Sequence, residues 1–313
     1  MRGSAPGRGN ESVKEGIMSI LQCVGNTPLI ELESQSPNPA VRIWAKLEYC
    51  NPSGSLKDRI ALHMIEEAEK SGRLKPGMTI IEATSGNTGI ALGMVCAVKG
   101  YKLRFFMSER KTIERRKMLA FWGAELSLTT KDDPDSHIFG AKELAAADPE
   151  RYFYIDQNEN EDNVNAHCLG TGAEIVRDLK GDVAAFVSGY GTGGCLMGVS
   201  RAFEEAGVGA KVYAVEPAGQ GSRIDGLKHS SEGYQPPIYD RARIEETFEV
   251  TDEDAIANGK LIARKEGIIA GISTGANLYA ARKVAERMDR GNVVTLVCDR
   301  GERYFSTDLF KME

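Results

Sequence analysis

The chain contains no apolar run long enough to cross a bilayer: its best candidate, GIALGMVCAVKG (89–100), is too short and is broken by glycines and a lysine. It has no block of basic residues and a formal net charge of -6, so neither nucleic acid nor an anionic membrane is an expected partner. Histidine is scarce. The four present, at 63, 137, 167 and 229, show no metal-ligand spacing, and each reads as a surface or core residue, with no metal expected. The six cysteines, Cys23, Cys50, Cys96, Cys168, Cys195 and Cys298, include no CxxC pair, which argues against a zinc site or a disulfide frame and for reduced thiols in a cytoplasm. No Walker A pattern and no G-x-S-x-G elbow occur, which removes the P-loop nucleotidases and the α/β-hydrolases. The opening MRGSAPGRGNESVKEG lacks the apolar centre of a signal peptide, so residues 1–16 are read as a disordered leader or cloning remnant.

What is present is enough chain for about two domains, at 313 residues. Short β-branched or aromatic runs alternate with helical patterns: RIWAKLE (42–48), MTIIEA (78–83), KLRFFM (102–107), AELSLT (124–129), YFYID (152–156), AAFVSG (184–189), KVYAVE (211–216), TFEVT (247–251) and NVVTLVC (292–298). Such alternation predicts parallel sheets covered by helices. Two doubly wound units fit the length, with a seam near 157–166, where QNENEDNVNA is polar and almost free of apolar periodicity. In such folds ligands bind beyond the carboxyl ends of the strands.

The stretch NPSGSLKDR (51–59) puts Lys57 in the first turn of a helix whose Ile60, Ala61, Met64, Ile65 and Ala68 recur at helical spacing, with Gly72 as its stop. A cation there opposes the helix dipole, a conflict that eases if the nitrogen is bonded to something else; the plain alternative is a solvated lysine beside Asp58. TSGNTG (84–89) and GYGTGG (189–194) each follow a strand and open a helix, a geometry that offers free N–H groups to an anion. Gly189, Gly191 and Gly194 satisfy G-x-G-x-x-G, and Glu216 closes the next strand where a dinucleotide fold keeps its ribose acid, so an NAD-dependent oxidoreductase is the rival reading. That rival leaves Lys57, Asn87 in its glycine turn and GISTGA (271–276) idle. Pyridoxal phosphate uses all of them: a lysine for its Schiff base, N–H groups for its phosphate, a donor for its ring hydroxyl and a partner for its ring nitrogen.

In this order, NPSGSLKDR, IEATSGNTGIAL, IERRKML, GTGG, VEP, EGIIAGISTGA and CDRGERYFST, spread over residues 25–308, resemble the O-acetylserine sulfhydrylases, or cysteine synthases, with the B-type forms most alike. The resemblance implies a tryptophan-synthase-β-like α/β fold of two doubly wound, mostly parallel-sheet domains with pyridoxal phosphate in the cleft between them, and a homodimer. Residues 46–160 would form the N-terminal domain with a mobile substrate-loop subdomain; 17–45 and 161–313 would form the C-terminal domain carrying the phosphate loop. Position by position, it implies Lys57 as the Schiff-base lysine and Asn87 as the partner of the ring hydroxyl. It likewise implies Gly191, Thr192, Gly193, Gly194 and Cys195 as the phosphate cradle, and Ser273 at the pyridine nitrogen. Thr84, Ser85, Gly86, Thr88 and Gln157 would hold the substrate carboxylate. The implied reaction is a β-replacement that forms L-cysteine from O-acetyl-L-serine and sulfide through an aminoacrylate, with Lys57 also the base for the α-proton.

Three positions depart from the pattern. Cys195 stands where threonine is usual, so backbone N–H groups are expected to suffice for the phosphate. Asn158 replaces a common aromatic. Asp225, in GSRIDGLKH, carries an acid where the family loop ordinarily has none. There it could activate water or a second thiol, which keeps open a reaction that starts from cysteine and releases hydrogen sulfide, a desulfidase or lanthionine synthase; the plainer reading pairs Asp225 with Arg223 or Lys228. Sulfide, thiosulfate or a thiol all remain open as acceptor, and a non-catalytic binding protein is the remote third reading. The chain ends soon after GERYFST, so no carboxy-terminal regulatory module is expected.

Overall fold

A computed structural model of the chain describes residues 19–311 apart from 85, 110–112, 130–134, 220 and 232; the leader lies outside the described residues. In chain order the strands and helices are β1 (Leu29–Glu31), β2 (Val41–Leu47), α1 (Lys57–Lys70), β3 (Thr79–Ala83), α2 (Asn87–Lys99), β4 (Lys102–Ser108), α3 (Ile113–Phe121), β5 (Glu125–Thr129), α4 (Ser136–Ala147), β6 (Tyr152–Tyr154), α5 (Glu161–Ala166), α6 (Ala173–Asp178), β7 (Ala185–Gly189), α7 (Gly194–Glu205), β8 (Lys211–Pro217), β9 (Glu246–Val250), α8 (Asp252–Glu266), α9 (Ile272–Arg287) and β10 (Gly291–Val297). A six-stranded sheet runs β1-β2-β10-β7-β8-β9 and a four-stranded sheet runs β5-β4-β3-β6. Every pairing is parallel except β1 with β2.

Each of the nine expected strand runs is a strand: β3 is buried along its whole length, while β5, partly exposed, is held by its parallel pairing with β4. In α1 the apolar stripe Ile60, Ala61, Met64, Ile65 and Ala68 is buried against Leu92, Val95 and the four-stranded sheet. Ile60, Met64 and Ile65 each contribute about 1.5–3 kcal/mol by leaving water.

Lys46 and Leu47, assigned above to the N-terminal domain, belong to β2, which pairs without a break from Val41 to Leu47 against Gly291–Val297 in the six-stranded sheet. The polar stretch at 157–166 lies between β6 of the four-stranded sheet and β7 of the six-stranded one. Asn160 accepts the Asp162 N–H at 3.0 Å and starts α5, which buries Val164 and Ala166 and continues through a wide π-type turn (His167–Gly172) into α6.

Candidate active site

Neighbouring strands β2, β10 and β7 bring three loops to one edge of the larger sheet. The first loop leads into α1, whose first residue is Lys57. Asp58 closes the preceding turn by accepting the Ser53 N–H at 2.6 Å and the Ser53 hydroxyl. Arg59 is held by Glu48 and Glu174, both at 2.7 Å. Among the described residues, the Lys57 amine alone of these three charged groups has no carboxylate or other hydrogen-bonding partner. Burial pushes it below the usual lysine range, against an opposing pull from Cys195 and Cys298. Both thiols are pushed up to about 12 by their own burial and are neutral near pH 7, so they give the amine no counter-charge.

The loop after β10 supplies groups that sequence reasoning missed. Cys298 O accepts the Leu56 N–H at 3.0 Å, and Asp299 pairs in a short antiparallel bridge with Ser55. The Asp299 carboxylate accepts from Asn87 Nδ2 and from the Tyr304 hydroxyl, each at 2.7 Å, while Arg303 donates to Asn87 Oδ1 and to Ser53 O. Asn87, the first residue of α2, is therefore oriented by residues from the other sheet's loops. The signal was the charged CDRGERY segment directly after an apolar strand, which had served only as a family motif. Ser273, second residue of α9, is buried with its hydroxyl bonded to Cys298, which brings it to the Lys57 cluster.

After β7 the chain turns at Gly193, with φ 83°, into α7. A Cβ at Gly191 would lie 2.5 Å from Gly226 O, and one at Gly193 2.7 Å from the Tyr239 side chain. Only glycine leaves the backbone N–H groups at this helix start open, which suits a phosphate. Thr192 Oγ1 accepts from Gly194 N at 3.3 Å and from Asn163 Nδ2 at 3.0 Å. The Cys195 thiol bonds to Ser188 and faces Lys57 and Cys298, leaving phosphate contacts to the backbone.

The smaller sheet contributes the loops after adjacent strands β3 and β6. Thr88 Oγ1 donates to Gln157 Oε1 at 2.7 Å, and Gly86 N donates to Thr84 Oγ1 at 3.3 Å; Ser85 lies outside the described residues. Asn163 Nδ2 also donates to Gln157 O at 2.7 Å, so one buried amide joins this loop to the glycine cradle. Asn158 is buried.

Asp225, partly exposed, lies in the loop after β8 that covers Gly191, and its charge is felt by Asp299. Arg223 is bound to Asp252 and Asp308, and Lys228 Nζ donates to Tyr234 O at 3.4 Å. Glu216, the acid of the dinucleotide reading, accepts from Ser230 N at 2.8 Å. With His229 and Glu249 it forms a group whose ligand atoms lie within 4.8 Å of one another.

A lysine amine without a salt bridge, beside a glycine cradle and a buried hydroxyl, fits an aldehyde cofactor carrying a phosphate, and so defines an enzyme of the pyridoxal-phosphate class. Residues 20–299 match the family described as pyridoxal-phosphate dependent enzyme, and the chain belongs to it. That membership replaces the dinucleotide reading. Over 297 residues the chain is 42% identical to cysteine synthase B of Salmonella typhimurium, covering 94% of this chain and 97% of that protein. Its fold matches the crystal structure of cysteine synthase from Entamoeba histolytica with a TM-score of 0.88 at 36% identity, covering 100% of this chain and 94% of that one. A hydrogen sulfide-producing enzyme from Fusobacterium nucleatum matches with a TM-score of 0.84 at 38% identity, covering 91% and 99%. No helix among the described residues is long and apolar enough to cross a membrane.

Proposed function

We propose that this chain forms L-cysteine from O-acetyl-L-serine and sulfide, with pyridoxal phosphate bonded to Lys57. The observation that carries the reading is the Lys57 amine, lowered in pKa and without an ionic partner, at the edge where β2, β10 and β7 deliver their loops. When bound, the cofactor supplies an electron sink that acidifies the substrate Cα–H and lets the β-acetoxy group depart. The N–H groups of Gly191, Thr192, Gly193 and Gly194, with Cys195 at the head of α7, hold the phosphate. Asn87 meets the ring hydroxyl, and Ser273 offers the ring nitrogen a neutral hydroxyl.

Once released by the incoming amino acid, the Lys57 amine takes the Cα proton; burial lowers its pKa from the usual lysine range, which favours the uncharged form that a base needs. Thr84, Ser85, Gly86, Thr88 and Gln157 receive the substrate carboxylate. Drawing that loop onto the substrate excludes water, which would otherwise compete with sulfide. In this reading the two sheets mark two domains, the first carrying a mobile substrate loop, and the enzyme works as a cytoplasmic homodimer. The test is to add pyridoxal phosphate to the purified protein and assay cysteine formation. Turnover of O-acetyl-L-serine with sulfide supports the reading; yellow protein inert toward every amino acid opposes it.

A second reading, release of hydrogen sulfide from L-cysteine, is favoured by one observation: the acid Asp225 in the loop over the cradle. The similar Fusobacterium nucleatum protein is described as hydrogen sulfide-producing. Under it, Asp225→Asn lowers sulfide release at least tenfold more than cysteine synthesis, roughly the worth of one charged hydrogen bond; equal effects remove it.

A further inference from the structure

Glu82 is fully buried near the end of β3, and nothing in the chemistry above uses it. Its two oxygens serve two different segments. Oε1 accepts the Ala83 N–H at 2.9 Å, and Oε2 accepts the Gln157 N–H at 3.2 Å. Ala83 runs directly into the 84–88 loop, and Gln157 meets that loop again through Thr88 at 2.7 Å. One carboxyl therefore closes a ring of contacts at the root of the loop. Among the described residues no lysine or arginine pairs with it, and burying an acid without a cation is costly. An aliphatic residue would satisfy the core of β3 better, so core packing does not account for an acid here.

We propose that Glu82 is a positioning residue for the substrate carboxylate, setting the spacing between the 84–88 loop and Gln157. The proposal rests on reading that loop as the carboxylate site. Burial, then the nearby Asp156, raises the Glu82 pKa to about 8, while the Gln157 and Ala83 hydrogen bonds oppose the rise. The titratable groups around it are Tyr154 from β6, whose buried hydroxyl has no hydrogen-bond partner among the described residues, and Asp156 from the loop after β6, itself raised by burial. Beyond Asp156 stand Lys142 of α4 at 3.8 Å, Glu159 and Tyr234. Below pH 8 Glu82 is neutral and tolerates an anion beside it. Above that pH its charge opposes the substrate carboxylate.

The test compares steady-state kinetics of the holoenzyme with those of E82Q and E82D between pH 6.5 and 9.5. The substrate amine titrates equally for all three, so KM ratios isolate residue 82. Glutamine keeps one acceptor oxygen, but its amide nitrogen cannot accept the second N–H. The E82Q KM for O-acetyl-L-serine is therefore about tenfold above wild type at pH 7, the worth of one buried hydrogen bond, with kcat within about twofold. The ratio falls toward about one at pH 9, where wild type gains the charge that E82Q lacks. A ratio of one at pH 7, or one that does not change with pH, overturns the proposal. If E82Q does not fold, E82D decides: raised KM with the alkaline step retained supports the role, and wild-type KM overturns it. Failure of the parent reading shows separately as wild-type enzyme that does not turn over O-acetyl-L-serine. Glycine affinities of wild type and E82Q, followed by absorbance, then decide Glu82, equal values overturning it.

Discussion

Among the described residues, Lys57 differs from its neighbours by lacking a side-chain partner. Asp58 and Arg59 are tied down on either side, so the helix start is rigid while the amine is free to bond a cofactor and then a proton. Lys57→Ala is expected to lower kcat by about 10³-fold, the usual worth of a positioned base, without loss of helix content by circular dichroism. Arg303→Met releases Asn87 Oδ1 and should weaken cofactor binding about tenfold in an absorbance titration, the worth of one charge-assisted hydrogen bond. Lys57, Asn87 and the glycine turns were legible in the sequence because their meaning is local: a strand, a turn and a helix start within a dozen residues. Asp299, Arg303, Asn163 and Glu82 were not, since each acts on a segment remote in the chain. Asn87 and Asp299, for example, are 212 residues apart.

At the scale of elements, the missed pieces are short. β1 has three residues and α5 has six, too few for a period to register, and their order comes from the β2 edge and from an asparagine cap. The glycine cradle, by contrast, is a backbone property that glycine spacing announces. Gly191→Ala sets a methyl group against Gly226 O at 2.5 Å and should displace the loop. The expected result is a pyridoxal phosphate Kd raised at least about tenfold with the Kd for pyridoxal, which lacks the phosphate, unchanged. A parallel loss for both ligands would place the phosphate elsewhere.

Across the whole molecule, a buried charge network ties α1 to β2 and α6. Arg59 binds Glu48 and Glu174, and Glu174 also meets Lys46 at 2.9 Å. Burial alone would raise Glu174, but Arg59 and Lys46 outweigh it and hold the carboxyl at about 2, below its ordinary 4.5. A depressed acid stabilises the fold above its unfolded pKa, so this contribution, at most about 3 kcal/mol, is present above pH 4.5 and is lost as pH falls toward 2. E174Q should flatten the fall of the unfolding midpoint between pH 4.5 and 3 in urea titrations. Glu82 acts in the opposite sense. Its raised pKa means the folded state holds the proton longer, so stability declines between pH 4.5 and 8, and E82Q should remove that decline. None of this network was legible in the sequence, where Lys46, Glu48, Arg59 and Glu174 read as ordinary charged residues; only the fold brings them together.

The most direct test of the account is borohydride reduction of the holoenzyme, followed by digestion and mass analysis of the labelled peptide. The account predicts a single pyridoxyl group on the peptide carrying Lys57, with its yellow absorbance abolished by Lys57→Ala. A label on another lysine, or protein that takes up no cofactor, would contradict it.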